Sequence, residues 1–543
     1  MSAPETYLLW VNGAECRGTG EPIPIECPAT GEVFASCHSA SEADVDAAVQ
    51  AAHAAFVAGT WSRAPRHVRA DVLDEAAHLL TAALPELIAL EVRQTGRAVR
   101  EMQAQVPSLV RWFRYYAALL RTDERPVFPT AGQLHNWADR VPLGVVTLVT
   151  PFNHPLLIAV KKLAPALAAG NSVVLKPSER TPLTSLALAQ LLHKAGLPAG
   201  VFSVLPGPGP VAAAALAAHP LVRSVDITGG TAAGRALGAI AGHNLARFNA
   251  ELGGKAPVLV FADADLPAAI NGVAFGAFVA SGQTCVAATR ILVEQSVFDD
   301  VVGGLARKAA FIAAHIGDPA NPQSSMGPLV SAQQLEHVRT LVDEAISSGR
   351  AAAAEGGGTL PATSALDGFD LSKGYFYPPT VLVSAPLATD AANGETGENG
   401  DNKEPTPKIL GTRLWREEAF GPVVVVVPFA NGSEDEAVRL ANDAAFSLGA
   451  AIWTQDLSRA FRVSERVAAG IVWVNTHHRN DPSSPWGATS VPGGGSGVGS
   501  ENGREAYLAY TAAKSTVINY ARPHEARVAE DWFNEGAAAV RYG

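Results

Sequence analysis

The chain is poor in cysteine, with four in 543 residues: Cys16, Cys27, Cys37 and Cys285. Their spacing fits neither a paired zinc site nor a disulfide framework for so long a chain, so no metal centre is expected and a reducing, cytoplasmic setting is. A basic excess is missing too: 41 Lys and Arg stand against 52 Asp and Glu, a formal net charge of −11. That balance argues against a nucleic-acid footprint, which needs a clustered basic face. No apolar run reaches membrane-spanning length without a charge or a Gly/Pro interruption, so no membrane partner is expected. The first residues, Met1-Ser2-Ala3-Pro4-Glu5-Thr6, carry no basic stretch ahead of an apolar one, and a secretory leader is not expected. What is present is length, more than one hydrophobic core usually supports, which predicts at least two domains.

Periodicity organises the first half. Short β-rich runs at Gly144 to Thr150, Ser172 to Lys176, Val201 to Leu205, Ser224 to Thr228 and Ala256 to Phe261 alternate with Ala/Leu-rich stretches near 155–169, 182–195, 210–218 and 231–241. Such alternation predicts a doubly wound parallel sheet, with ligands at the carboxyl ends of its strands, where Lys176, Gly207 and Thr228 fall. An Ala-rich helical region over roughly 42–120 flanks it. Beyond Cys285 the pattern restarts with a strand from Arg290 to Val293, a helix over 297–314 and a strand from Val423 to Pro428, which predicts a second α/β domain. Residues 388–408, rich in Gly, Asn, Glu and Thr, read as an inserted acidic surface loop. The stretch Ala488 to Gly495 enlarges a Gly-rich connection.

Two residues carry reactive chemistry. Cys285 closes the run Phe278-Val279-Ala280-Ser281-Gly282-Gln283-Thr284-Cys285, and Glu251 opens Glu251-Leu252-Gly253-Gly254-Lys255-Ala256-Pro257 upstream. A thiolate can attack a carbonyl carbon, and a nearby carboxylate can then deprotonate the water that hydrolyses the thioester. Taken singly, the other motif residues have plainer readings: Asn153 as a turn former, Phe420 as core, Pro206-Gly207-Pro208-Gly209-Pro210 as a tight turn.

Those two segments occur with Pro151-Phe152-Asn153-His154-Pro155, Lys176-Pro177-Ser178-Glu179, Thr228-Gly229-Gly230-Thr231 and Glu417-Glu418-Ala419-Phe420-Gly421-Pro422. In this order and spacing, the chain from about Leu9 to Tyr520 resembles the NAD(P)-dependent aldehyde dehydrogenases. The resemblance implies an α/β fold: a doubly wound parallel-sheet cofactor domain (1–122 and 143–253), a second α/β catalytic domain (254–490), a small β oligomerisation arm (123–142) with its strand (508–522), and a tail (523–543). It implies Cys285 as nucleophile, Glu251 as general base, Asn153 with the Cys285 N–H as oxyanion donors, and Lys162 in a proton-relay or structural role.

For the cofactor it implies Lys176 on the adenosine ribose hydroxyls and Glu179 on the 2′-hydroxyl. Gly209 would lie against the adenine, Gly229 and Gly230 at the pyrophosphate, Glu418 on the nicotinamide ribose and Phe420 beside the nicotinamide. Thr150, Phe152, Ser178, Gly234 and Leu252 complete that set. Glu179 would repel a 2′-phosphate, favouring NAD, while Lys176 and Ser178 partly offset the repulsion and leave NADP possible. Gly230 stands where the family usually has Ser, which removes one hydrogen bond to phosphate. The aldehyde tunnel would hold Ile158, Lys161, Thr284, Val286, His478 and Arg479.

The expected partner is a small-molecule aldehyde, hydrophobic or aromatic, oxidised to the free acid by a homodimer or homotetramer. Lys161, reinforced by Arg479, raises the alternative of a semialdehyde whose distal carboxylate pairs with a cation. A catalytically idle binding protein is the third reading, and the joint presence of Cys285, Glu251 and Asn153 argues against it.

Overall fold

A computed structural model describes residues 5–385, 407–531 and 533. The expected insertion at 388–408 therefore falls almost wholly outside the described residues, as does most of the tail beyond the helix Pro523–Glu530. No helix among the described residues is long and apolar enough to cross a membrane.

The first sheet is ordered Gly497–Val498, Arg247–Glu251, Val222–Thr228, Val145–Val149, Ser172–Lys176, Phe202–Val204, Leu9–Val11, Ala14–Cys16, and its five central strands run parallel. Strands such as Val145-Val146-Thr147-Leu148-Val149 are buried at every position, as a parallel sheet covered on both faces demands. The chain winds from Val145–Val149 outward in one direction, then returns to build the other side from Val222–Thr228. The switch point lies between those two strands, so a crevice opens beyond Val149 and Thr228.

Helix Pro155–Ala168 follows directly, with Pro155 pre-set for the first turn. Every residue in it but Leu157 is buried, including the adjacent Lys161 and Lys162. A helix without a wet face obliges both lysines to find internal counter-charges. The helical region between 42 and 120 is present as five helices, from Glu42–Ala58 to Val110–Thr122.

The second sheet is ordered Ala351–Glu355, Thr380–Ser384, Val423–Phe429, Ala288–Glu294, Ala256–Val260, Gly449–Trp453, Ile471–Val474, parallel except at Ala351–Glu355. Ala256–Val260 thus belongs at the centre of this sheet rather than with the first-half strands among which its sequence places it. Its place in the first sheet is taken by Arg247-Phe248-Asn249-Ala250-Glu251, whose buried Asn and Glu hide it from a search for apolar runs.

A third sheet pairs Thr511–Asn519 with Leu134–Pro142 along nine residues, and Leu134–Pro142 with Val127–Phe128. Arm and carboxyl-terminal strand therefore pair with each other within the chain.

The two large sheets meet where Glu251-Leu252-Gly253-Gly254 leaves the first and enters the second. A Cβ on Gly254 would stand 1.8 Å from the carbonyl oxygen of Cys285, inside backbone that cannot yield. Gly254→Ala is expected to cost about 1–3 kcal/mol through overpacking, seen as a lower melting temperature together with lost turnover. An unchanged melting temperature would show that this crossing is not close-packed.

Candidate active site

Between the sheets lies a cleft of about 660 Å³. One end is bounded by Thr150, Lys176, Ser178, Glu179, Gly209, Gly229, Gly230 and Leu252, the other by Asn153, His154, Ile158 and Cys285, with Glu418 and Phe420 between. At the first end Lys176 Nζ lies 3.2 Å from Glu179 Oε2. Burial pushes the Glu179 carboxyl up, but Lys176 and hydrogen bonds hold it below the usual carboxylate range. A side chain on Gly209 or Gly230 would meet nothing within 4 Å, so open space lies over both. Gly230 precedes the helix Thr231–His243, whose amino terminus offers N–H donors and a positive dipole end.

Phe152 and Phe420 meet edge to face at 5.7 Å. Glu418 Oε1 accepts from the Gly254 N–H at 2.8 Å, and burial pushes its carboxyl up to about 7. The Glu418–Phe420 turn is fastened by Gln334, whose Nε2 donates to the carbonyls of Ala419 and Phe420, each at 2.9 Å.

Cys285 is delivered by strained backbone. Ala280, Ser281 and Gly282 are left-handed in succession, with φ of 54°, 56° and 70°, a conformation that non-glycine residues hold only when their surroundings enforce it. Ser281 Oγ donates to Gly327 O at 2.7 Å, and the Ala280 N–H donates to Glu101 at 3.1 Å. Asn153 Nδ2 donates to Gln283 O at 2.7 Å, while its Oδ1 has no partner. Burial pushes the Cys285 thiol up to about 12; Lys161 pulls it down, and Glu418, Glu251 and Glu501 add to the rise. At rest the sulfur is a thiol.

Glu251 ends its strand 2% exposed, and neither carboxylate oxygen has a hydrogen-bond partner. Burial first, and then the charge of Glu501, push its proton affinity well above the carboxylate norm. Beside it runs an ion network that the sequence did not reveal. Lys161 Nζ reaches Glu501 Oε2 at 2.7 Å and lies 4.5 Å over the Trp486 ring. Lys162 Nζ reaches Glu501 Oε1 at 2.5 Å and also pairs with Asp226, which accepts from the Tyr510 hydroxyl and, at 2.9 Å, from Asn249. Burial raises Glu501, yet the two ammonium groups hold its carboxyl down at about 2.

Several expected tunnel residues stand elsewhere. Lys161 is closed on Glu501 and offers no free cation to a substrate. Arg479 is exposed, its Nε donating to Thr476 Oγ1 at 3.3 Å. Val286 is wholly buried in the core of the second sheet, and Thr284 is buried rather than on the cleft wall. Gly234 likewise lies behind the wall: a Cβ there would meet Leu252 Cδ2 at 2.5 Å, so it admits Leu252 rather than the cofactor. His478 packs its ring 6.4 Å from that of His154. Lys162 belongs to the ion network.

The unpartnered Glu251 carboxyl has a consequence for stability. Its folded proton affinity exceeds its unfolded one, so the charge penalty is absent at low pH and grows as pH climbs past the ordinary carboxylate range. Glu251→Gln should unfold with nearly the parent's free energy at pH 5 and a larger one at pH 8–9, by about 1.4 kcal/mol for each pH unit by which the carboxyl is displaced. Equal gaps at both pH values would contradict the burial argument.

Comparison with known proteins places the chain in a family. The model of the aldehyde dehydrogenase family matches residues 15–396 and 408–516. Phenylacetaldehyde dehydrogenase of Pseudomonas fluorescens is 37% identical over 530 residues, 96% of this chain and 97% of the relative. 2-Hydroxymuconic semialdehyde dehydrogenase of Pseudomonas sp. (strain CF600) is 37% identical over 516 residues, 94% and 98% respectively. The structure of PnpE in complex with nicotinamide adenine dinucleotide superposes with a TM-score of 0.85 at 35% identity, covering 95% of this chain and 99% of the other. With the family model spanning nearly the whole chain and an α/β frame shared at that level, the chain belongs to the aldehyde dehydrogenase family.

Proposed function

We infer that the protein oxidises an aldehyde to the free carboxylic acid with NAD. The observation that carries this reading is Glu251: a buried carboxylate with no partner, beside a cysteine held on strained backbone at the end of a dinucleotide-sized cleft. The residues fit the cofactor. Lys176 and Glu179 would take the adenosine ribose, the open space over Gly209 and Gly230 would admit adenine and pyrophosphate, and Glu418 would take the nicotinamide ribose. NAD is the dinucleotide in the related PnpE structure, and Glu179 disfavours a 2′-phosphate.

Cys285 Sγ attacks the aldehyde carbon, forming the C–S bond as the carbonyl oxygen takes up negative charge. The Cys285 N–H and the second N–H of Asn153 Nδ2 stabilise that oxygen, each such donor being worth about 3 kcal/mol. The thiol proton passes to Glu251, whose raised proton affinity suits it to receive one. Bound NAD supplies the hydride acceptor. The carbon left behind is a thioester on Cys285; once Glu251 has released the first proton to solvent it deprotonates a water, the hydroxide adds, and the C–S bond breaks to release the acid as the proton on Glu251 returns to the sulfur.

For the substrate we favour a hydrophobic or aromatic aldehyde. Ile158 lines the Cys285 end, and Lys161, already neutralised by Glu501, supplies no clamp for a distal carboxylate. The relative named for phenylacetaldehyde accords with this.

The assembly we favour is a homodimer or homotetramer. Val127, Phe128, Val517 and Ile518 are exposed on the small three-stranded sheet, with Tyr520 just beyond it, apolar side chains that a neighbouring subunit would cover. Light scattering at micromolar concentration should give at least twice the subunit mass of 56.3 kDa, and a stable monomer would rule the assembly out.

Turnover tests the chemistry. Cys285→Ala should abolish NADH formation. Glu251→Gln should release at most a single burst and then stall as acyl-enzyme, visible by mass spectrometry as an adduct on Cys285. Steady turnover in the Gln variant would remove Glu251 from the role of base.

A further inference from the structure

His154 stands between Asn153 and the first residue of the buried helix, on the wall of the cleft near Cys285. It is 4% exposed, yet its Nε2 has no hydrogen-bond partner. Its other nitrogen is firmly engaged. Arg97 NH1 approaches Nδ1 at 2.6 Å, and Gln105 lies beside it with Nε2 at 3.1 Å and Oε1 at the longer 3.3 Å. A guanidinium can only donate, so Nδ1 must accept, and the ring proton of the neutral imidazole is assigned to Nε2. Burial, the charge of Arg97, and then His478 and Lys161 push His154 well below the usual histidine range, which keeps the ring neutral. Arg97 therefore fixes a tautomer whose N–H meets no acceptor in the protein.

A buried donor left unpaired is destabilising, so something at this wall has to accept from it. We propose that His154 is a specificity residue whose Nε2–H donates to an oxygen of the aldehyde substrate a few atoms from the reacting carbonyl. The inference rests on the aldehyde-oxidising reading and sharpens its substrate class. The oxygen is an uncharged one, of an ether, hydroxyl or second carbonyl. Both nearby cations are already spent: Arg97 pairs with Glu101 at 3.0 Å and Lys161 with Glu501 at 2.7 Å, so a buried carboxylate here would find no net positive charge. The surroundings suit an otherwise apolar molecule, with Ile158 beside His154, and Phe275 beyond the His478 ring at 6.3 Å.

The test uses aldehydes of matched shape that exchange one oxygen for a methylene. Phenoxyacetaldehyde against 3-phenylpropanal places the oxygen near the carbonyl, and 3-phenoxypropanal against 4-phenylbutanal places it one atom further. The full-length enzyme should prefer the oxygen member of at least one pair by about tenfold in kcat/KM, because a site built to donate rejects the analogue that leaves its donor unpaired. His154→Phe should bring that ratio to about one, and His154→Gln, which keeps an N–H, should restore part of it. A ratio within one preparation does not depend on how much enzyme folded, and a parent without the preference overturns the proposal whether or not a variant folds. NADH from all four aldehydes at equal efficiency, or a preference that survives His154→Phe, overturns the assignment of His154 alone. No NADH from any of the four overturns the aldehyde reading and this inference together.

Discussion

Two ammonium groups on consecutive residues of a helix with no solvent face impose the constraint around which this active site is built. Lys161 and Lys162 cannot both point the same way from a helix, and neither can reach water. Glu501 answers both, one oxygen to each, and Asp226 adds a second partner for Lys162. The residues that answer come from far along the chain: Asp226 from the first sheet, Glu501 from the stretch after the Gly-rich connection, and Tyr510 from near the carboxyl-terminal strand. A buried ion pair contributes little net stability, but leaving one partner alone is severe. The network thus enforces registry among the central helix, the sheet beside it and the late segments.

Glu251 owes its properties to standing beside that network without joining it. Burial does most to raise its proton affinity, and with Lys161 and Lys162 matched by Glu501 and Asp226 it is also the surplus negative charge, which Glu501 opposes further. Cys285 is held as a thiol first by burial, with the neighbouring carboxylates adding to it. In both, burial does most and neighbouring charges add to it, and each lies in a stretch that departs from ordinary packing: an unpartnered carboxylate in one case, consecutive left-handed residues in the other. Local rules fail where function requires them to.

How much of this the sequence disclosed depended on the type of residue. Alternating β-branched and Ala/Leu-rich stretches placed the strands at Ser172–Lys176 and Val423–Phe429 and the helix Pro155–Ala168 closely, because burial on both faces leaves continuous apolar runs. Arg247–Glu251 escaped, since its inward positions are Asn249 and Glu251. The motif residues around the cleft were recognisable from their order, but partnership was not: nothing local couples Glu501 to a lysine more than three hundred positions earlier. Lys161 was therefore read as a free cation, and Arg479 as its reinforcement, when one is already paired and the other exposed. His154 was visible only as part of a motif, and the direction of its ring proton depends on Arg97, which lies in a loop with no signature of its own.

The first sheet is not finished by the first half of the chain. Its edge strand Gly497–Val498 pairs with Arg247–Glu251, and Glu501 follows three residues later. During synthesis, which runs at about 5–20 residues per second, the strands around the switch point emerge well before the carboxylate that their lysines require. For that interval the central helix must stay hydrated or loosely docked. Final closure of the amino-terminal half waits on the ribosome delivering residue 501, so a chain truncated after the second sheet would carry Asn153, Glu251 and Cys285 and still lack the ion that lets the first sheet consolidate.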